Sequence, residues 1–551
     1  MQIRLIAFNG RYIHSCLALF YVREELRKNL PAAAIELRQL TINDPYYQTL
    51  LSISEGSPFA IFFSVYIWNS ELVLQLLDDL ARILPEVPFV LGGPQAAAFS
   101  RDQLPAKTTV IKGEVEGLSP SFYEDLQHNR LAPVYECRPG GPFPSPYTDG
   151  DLTGVLHNRH IYYESCRGCP FSCSYCLSSV ERGMNRKDVE QVKRELAAIL
   201  KHRPKIIKFV DRTFNANADR ALEIWRFLSE QGGETLFHFE MAPDLFSEEM
   251  FAFLAELPPG RFQFELGIQS THPETLAAVN RVMDLKKVGE NIRRLAALDN
   301  IHLHADLILG LPEETASSFR NGVREVFAMG PHYIQMGLLK VLPGTGISGV
   351  PGLVHSRKPP YQVLATPQMD HRTLSHLYWL GECLEAFHNN RYFPCLFAYL
   401  RETGEDICTF FEELLKVCRA RNFFSLSATQ EFCNSLLCEV ISGRNDCELI
   451  RELLRYDWLR CGHRFLPEPL ADENLAELRK HLSRTLGVNF PPYYDYRSRD
   501  EFFRKSFFAA FSGSALQRLG LGDGTKDGIV CFLPDREPGI HSFQKVCLLP
   551  G

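Results

Sequence analysis

With 551 residues, 45% of them hydrophobic and 23% charged, the chain has an ordinary globular composition. That excludes a largely disordered or fibrous protein, and the length exceeds what one hydrophobic core holds, so two or three domains are expected. The formal net charge of -7, without a block of consecutive Lys or Arg that would form a phosphate-tracking arm, argues against nucleic acid as the partner.

From residue 2 to 128, strand-like runs alternate with helical ones. Residues 3–8 precede a helical stretch over 16–29. Residues 59–65 precede another over 69–83, in which Leu72, Leu76 and Leu80 share a face and Asn69 stands as the N-cap. Further strands are predicted at 88–91 and 108–112. This alternation predicts a parallel, doubly wound, Rossmann-like sheet over 1–137, with ligands bound at the carboxyl ends of its strands. The Pro/Gly-rich passage that begins at Arg138 reads as a linker, 138–157.

A second alternating series follows, with strands expected at 160–164, 206–211, 236–241, 261–268, 302–309 and 333–340, and helices such as 189–201 and 317–328 between them. Six βα units are too few for a full eight-stranded barrel and predict a partial (β/α)6 barrel over 158–350. Beyond Pro359-Pro360, long amphipathic stretches such as 376–390 and 431–454 predict a mostly α-helical domain over 351–551. The fold class is thus α/β for two domains, then α-helical.

Sixteen cysteines are scattered apart from one tight cluster, unlike the dense frame of a small secreted domain. The N-terminus lacks the succession of a signal peptide, and no apolar run reaches the roughly 18–20 residues that cross a bilayer. A reducing, cytoplasmic setting without a membrane span is expected.

The cluster, Cys166-Arg-Gly-Cys169-Pro-Phe-Ser-Cys173-Ser-Tyr-Cys176, follows a predicted strand and lies in a loop with Gly and Pro. Three thiolates on such a loop can each reach a different iron of a cubane and leave the fourth iron open to a chelating ligand. The alternatives are a structural zinc site or buried inert thiols. Zinc ribbons bring two CxxC knuckles from separate turns, and no second knuckle exists elsewhere in the chain, away from this cluster.

CxxxCxxC with an aromatic residue before its last cysteine, here Tyr175, resembles the signature of radical S-adenosylmethionine (SAM) enzymes. The resemblance implies a 4Fe-4S cluster on Cys169, Cys173 and Cys176, with SAM chelating the open iron and cleaved to a 5′-deoxyadenosyl radical. Cys166 has no role in that family. Further segments match in order. Asp211 and Arg212 open the segment where the family places groups for the SAM amino end, and Glu240 ends the next strand. Phe264 to Ser270, with Glu265 and Gln269, resembles the segment that reaches the methionyl carboxylate and ribose. Ile308 to Glu314, with Gly310, resembles the turn that packs on adenine.

The first domain resembles the cobalamin-binding domains fused to such barrels, the class B-like proteins. Ser64 and Tyr66 follow its third strand, Gly92 and Gly93 its fourth, and Glu114 its fifth. Small residues let the corrin side chains approach the backbone, and the hydroxyls can hydrogen-bond them. A dinucleotide site would need GxGxxG after the first strand, where the chain has Asn9-Gly-Arg-Tyr-Ile-His-Ser15. Cobalamin mutases carry DxHxxG there; Asn9 takes the Asp place and Arg11 the His place, and an arginine is a poor cobalt ligand. His14 is the other candidate for that ligand. The helical part resembles an uncharacterised C-terminal extension found on some of these proteins.

Together these resemblances imply an enzyme that methylates an unactivated carbon of a small-molecule or peptide substrate using a 4Fe-4S cluster, SAM and methylcobalamin. An external donor such as flavodoxin or ferredoxin would reduce it. The alternatives are a cyclase or rearrangement enzyme without methyl transfer, and a cobalamin-binding sensor. No catalytic side chain is assigned.

Overall fold

The computed structural model describes residues 1–56, 58–180, 183–471, 475–486, 498–536, 540 and 543–549. Six strands, β1 (Gln2–Asn9), β2 (Ala34–Thr41), β3 (Ala60–Ser64), β4 (Phe89–Gly92), β5 (Thr108–Lys112) and β6 (Val134–Glu136), form an all-parallel sheet in the order β2-β1-β3-β4-β5-β6. Its central strands are apolar on both faces because helices cover both. Leu19 and Leu26 of α1 (Leu17–Asn29), with Phe122 and Leu126 of the helix Pro120–Gln127, pack on Ile3, Leu5, Ala60 and Phe62. On the other face Ile53, Val73, Leu76 and Leu80 pack on Ile6, Phe8, Ile61 and Phe63. The chain reverses direction across the sheet between β1 and β3, and a crevice opens where the two connections part.

Asn69 occupies the N-cap position of the helix Ser70–Ile83, as expected, but its side chain makes no capping bond. Its Oδ1 accepts from the Tyr66 N–H at 2.8 Å and its Nδ2 donates to the carbonyls of Phe8 and Ser64, so it staples the turn after β3 to the end of β1. The stretch read as a linker contains a short helix, Asp149–Thr153, whose Asp151 is held 2.5 Å from Arg23 of α1.

The second sheet comprises β7 (Ile161–Tyr163), β10 (Ile206–Phe209), β11 (Leu236–Met241), β12 (Phe262–Gln269), β13 (His302–Leu309) and β14 (Tyr333–Leu338), all parallel in the order β14-β13-β12-β11-β10-β7. Between β7 and β10 a two-stranded antiparallel ribbon, β8 (Cys166–Gly168) and β9 (Met184–Arg186), carries the cysteine loop. The large sheet is two-faced. Phe262, Phe264, Leu266 and Ile268 are wholly buried in an aromatic core around Trp225, whereas Gln263, Glu265, Gly267 and Gln269 stay partly accessible on the other face. The polar face lines the inside of the partial barrel.

Beyond residue 370 helices dominate, but the expected helix 431–454 is two, Gln430–Ile441 and Cys447–Arg460. The break falls at Ser442-Gly443, and Arg444 fixes the turn by pairing with Glu405 and Asp446. The helix expected at 376–390 starts earlier, at His371, where the Asp370 carboxylate accepts from Thr373 N–H. A three-stranded antiparallel sheet, Phe507–Phe511, Gly528–Arg536 and Gln544–Leu548, was not expected in a region read for helical periodicity. Among the described residues no helix is long and apolar enough to cross a membrane.

Candidate functional site

A cavity of about 750 Å³ lies between the carboxyl ends of β1, β3, β4 and β5 on one side and β7 with the cysteine ribbon on the other. Ser64, Tyr66, Gly92, Gly93 and Glu114 all line it. Gly93 has φ +100, and a Cβ there would fall 2.6 Å from the Val65 carbonyl oxygen. At Gly10 and Gly92 a Cβ would meet nothing within 4 Å, so these two lining residues leave open room. The Ser64 hydroxyl accepts from the Cys16 thiol at 3.3 Å, and the Tyr66 ring stacks on Trp68 with centroids 4.3 Å apart.

Arg11 does not line the cavity; it is exposed. A turn closed by the His14 N–H on the Arg11 carbonyl sends residue 11 outward and brings His14 to the wall instead. The His14 Nδ1 lies 2.6 Å from the Tyr162 hydroxyl of β7. Burial lowers the His14 pKa, and the charges of Lys208 and Arg11 lower it further.

The cysteine loop is anchored at several points. At its base Gly168 has φ +85, and a Cβ would stand 2.1 Å from the Gly183 carbonyl oxygen. Further along, Ser174 donates its N–H to Val279 and accepts from Ile347 N–H. Cys173 is buried, with Arg281 Nη1 3.7 Å from its sulfur; Cys169 and Cys176 are half-buried, and the Cys169 sulfur lies 3.5 Å from Thr213 Oγ1. Tyr175 packs against the barrel core, where burial raises its phenol pKa. Among the described residues no three Cys, His, Asp or Glu converge as a single ion requires. A cubane asks something different, one thiolate for each of three irons. Cys166 stands apart in β8, its thiol pushed up to about 11 by burial and by the charge of Asp211.

In the barrel, Asp211 is turned onto Ser165, accepting from its N–H at 2.8 Å and its hydroxyl at 2.5 Å, and burial pushes the carboxyl up to about 6. It is spent on holding the strand end that precedes the cysteines. Arg212 reaches the cavity and lies 3.7 Å from Glu240, whose carboxyl burial pushes up to about 7. On β12, burial opposes ionisation of Glu265, but His238 Nε2 at 3.2 Å holds the carboxyl well below its usual range. Burial and that charge push the neighbouring Asp306 well up. Gln269 adopts φ +73 beside a register shift at Gly267, a strained position for a residue with a side chain. Ile308 packs against the barrel core and Gly310 turns against the Val363 side chain.

Four residues on the inner face, Lys208, His238, His304 and Asp306, were not anticipated. The polar alternation of His302-Leu-His-Ala-Asp306 was the available signal, because a strand apolar on one face only must present its other face to something polar. Arg167, between Cys166 and Gly168, was also missed: it meets Glu114, Glu116 and Glu164 within 3.1 Å.

Residues 163–326 match the radical SAM superfamily, and residues 352–513 match a family described as a protein of unknown function, DUF4080. The chain is 27% identical over 425 residues to the 2-(S-pantetheinyl)-carbapenam-3-carboxylate methyltransferase of Streptantibioticus cattleyicolor. It is 26% identical over 426 residues to the cobalamin-dependent radical SAM methyltransferase TokK of Streptomyces tokunonensis. Each alignment covers 65% of this chain, which spans 61% of the length of each relative. The cobalamin-dependent SAM radical enzyme OxsB, solved with aqua-cobalamin and SAM, superimposes on 88% of this chain and 81% of its own, with a TM-score of 0.59 and 14% identity. That likeness speaks for the fold.

Proposed function

Because residues 163–326 match the radical SAM superfamily and the cysteine ribbon forms one wall of a glycine-lined cavity at the strand ends of a parallel sheet, we propose that the chain is a cobalamin-dependent enzyme that methylates a carbon of its substrate. The observation that carries this reading is the position of the cavity, walled by the β1, β3, β4 and β5 loops and by Cys166 to Gly168 of the ribbon. Its volume of about 750 Å³ suits a large ligand. The open positions at Gly10 and Gly92, the hydroxyls of Ser64 and Tyr66 and the carboxylate of Glu114 suit a corrin rimmed with amides.

Cys169, Cys173 and Cys176 would hold a 4Fe-4S cluster, and Arg212, Glu240, Glu265 and Gln269 stand at the strand ends where SAM would be held. When bound, the cluster supplies the electron for reductive cleavage of SAM and the corrin carries the methyl group. The chain's own residues do the positioning. Asp211 locks Ser165, and with it the entry to the ribbon. His238 favours the ionised form of Glu265 as an acceptor, while burial and the Glu265 charge favour the protonated form of Asp306. The substrate is a small molecule or peptide, reduction comes from an external flavodoxin or ferredoxin, and the setting is cytoplasmic.

The test uses the full chain reconstituted with iron, sulfide and cobalamin, reduced, and given SAM labelled in its methyl group. Label on the cobalamin together with S-adenosylhomocysteine is expected, beside uncoupled 5′-deoxyadenosine. A cyclase gives 5′-deoxyadenosine without S-adenosylhomocysteine, and a sensor gives neither. Unlabelled cobalamin in protein fully occupied with iron and corrin would overturn methyl transfer.

A further inference from the structure

We propose that Arg167 is a positioning residue that clamps the cysteine ribbon onto the wall of the first sheet, and so sets how the cluster loop faces the cavity. Its guanidinium meets three carboxylates from two parts of the fold. Glu114 at 3.1 Å and Glu116 at 2.9 Å come from the turn after β5, and Glu164 at 3.0 Å follows β7. The Glu116 contact is two-pronged, with Nη1 to Oε2 at 3.2 Å and Nη2 to Oε1 at 2.9 Å, a planar fork that Lys cannot reproduce. The guanidinium also lies against two rings, Tyr21 of α1 at 4.8 Å and Phe143 at 4.3 Å.

Only 13% of the Arg167 side chain is exposed, so these contacts form where water screens little. Both ends of the clamp are stiff. The turn bearing Glu114 and Glu116 is fixed by the Arg138 N–H on the Gly117 carbonyl, and at Gly117 a Cβ would fall 1.8 Å from the Arg138 carbonyl oxygen. On the ribbon side, β8 is paired with β9, whose Asn185 donates to the Gly141 carbonyl. Arg167, Glu114, Glu116 and Glu164 all line the cavity. One cation among three carboxylates leaves an excess of negative charge if Arg167 is removed, so the ribbon and the wall would then repel each other.

The inference rests on the proposed corrin and cluster sites, and its test separates the two. In the protein without corrin, Arg167→Gln is expected to raise amide hydrogen exchange at 113–117 and 166–168 roughly tenfold, with the C-terminal sheet unchanged. In the loaded protein, the dipolar distance between cob(II)alamin and the reduced cluster is expected to be narrow in the wild type, broad in Arg167→Gln at equal iron and corrin content, and intermediate in Arg167→Lys. Should Arg167→Gln not fold, Glu116→Gln, which breaks the fork and leaves the cation, must show the same broadening to a lesser degree. Wild-type exchange and wild-type distance width in the variants would overturn the clamp. Wild-type protein that takes up no cobalamin overturns the proposed function instead, and the exchange measurement then decides the clamp alone.

Discussion

The Arg281 guanidinium stands 3.7 Å from the Cys173 sulfur, donates to the Gly267 carbonyl at the bulge of β12, and lies 5.5 Å from the Phe171 ring. A fixed positive charge beside a thiolate favours the more negative state of whatever that thiolate binds. Replacing Arg281 with Met keeps an unbranched apolar stem and removes the charge together with the bond to Gly267. The cluster in Arg281→Met is expected to become harder to reduce, by on the order of tens of millivolts, in a redox titration followed by electron paramagnetic resonance. An unchanged potential would show that this charge is screened from the sulfur.

Cys166 and the triplet are expected to behave differently. Cys169→Ala, Cys173→Ala and Cys176→Ala should each abolish most absorption at roughly 400 nm and all reductive cleavage of SAM, because each thiolate holds its own iron. Cys166→Ala should retain both. Its thiol sits in β8, protonated at neutral pH because burial pushes it up to about 11. If Cys166 proved as necessary as the other three, the cluster would be a four-thiolate one without an open iron.

The parallel sheets were legible because a buried strand needs a run such as Ile3 to Phe8 and a covering helix needs a stripe such as Leu72, Leu76 and Leu80, although Val73 is buried more deeply than Leu72. The cysteine loop was legible because its spacing is dictated by chemistry. What was not legible depends on contacts between distant segments. Nothing local to Asn9-Gly-Arg11 says that the following turn points Arg11 out and His14 in, and nothing local to Asp211 says that Ser165 takes both its oxygens. Arg167 was hidden for the same reason, since two of its three partners, Glu114 and Glu116, lie about fifty residues earlier. The C-terminal antiparallel sheet escaped because the region was read for helical periodicity and two of its strands, Phe507–Phe511 and Gln544–Leu548, have only five residues each.

The cavity wall also bears on which side chain could ligate the cobalt of a corrin bound there. Arg11 lies outside, and the His14 Nδ1 is engaged by Tyr162 at 2.6 Å. With Arg11, in the place of the mutases' histidine, turned out of the cavity, bound cob(II)alamin is expected to show a spectrum without nitrogen superhyperfine splitting, unchanged in His14→Ala. Splitting in the wild type that disappears in His14→Ala would show that His14 ligates cobalt through Nε2, with Nδ1 still held by Tyr162.

Glu314 offers a test of the interior electrostatics that needs no cofactor. It follows β13, is 1% exposed, and accepts from the Ser270 hydroxyl at 2.6 Å through Oε1, while Oε2 is buried without a partner. Burial pushes its carboxyl up to about 7, against a smaller downward pull from Ser270. A carboxyl whose pKa is higher folded than unfolded binds its proton more tightly in the folded state. Its destabilising effect is absent below the unfolded value, grows as pH rises from 4.5 to about 7, and is constant above that. Glu314→Gln keeps an oxygen for Ser270 and cannot ionise. The variant is expected to match the wild type near pH 4 and to be more stable at pH 8 by up to about 3 kcal/mol, seen as a difference in Tm that opens with pH. Comparing the two proteins at each pH cancels the contributions of Asp211 and Glu240, which titrate in the same window. A difference in Tm that is the same at both pH values would mean that Glu314 ionises as freely in the folded protein as in the unfolded chain.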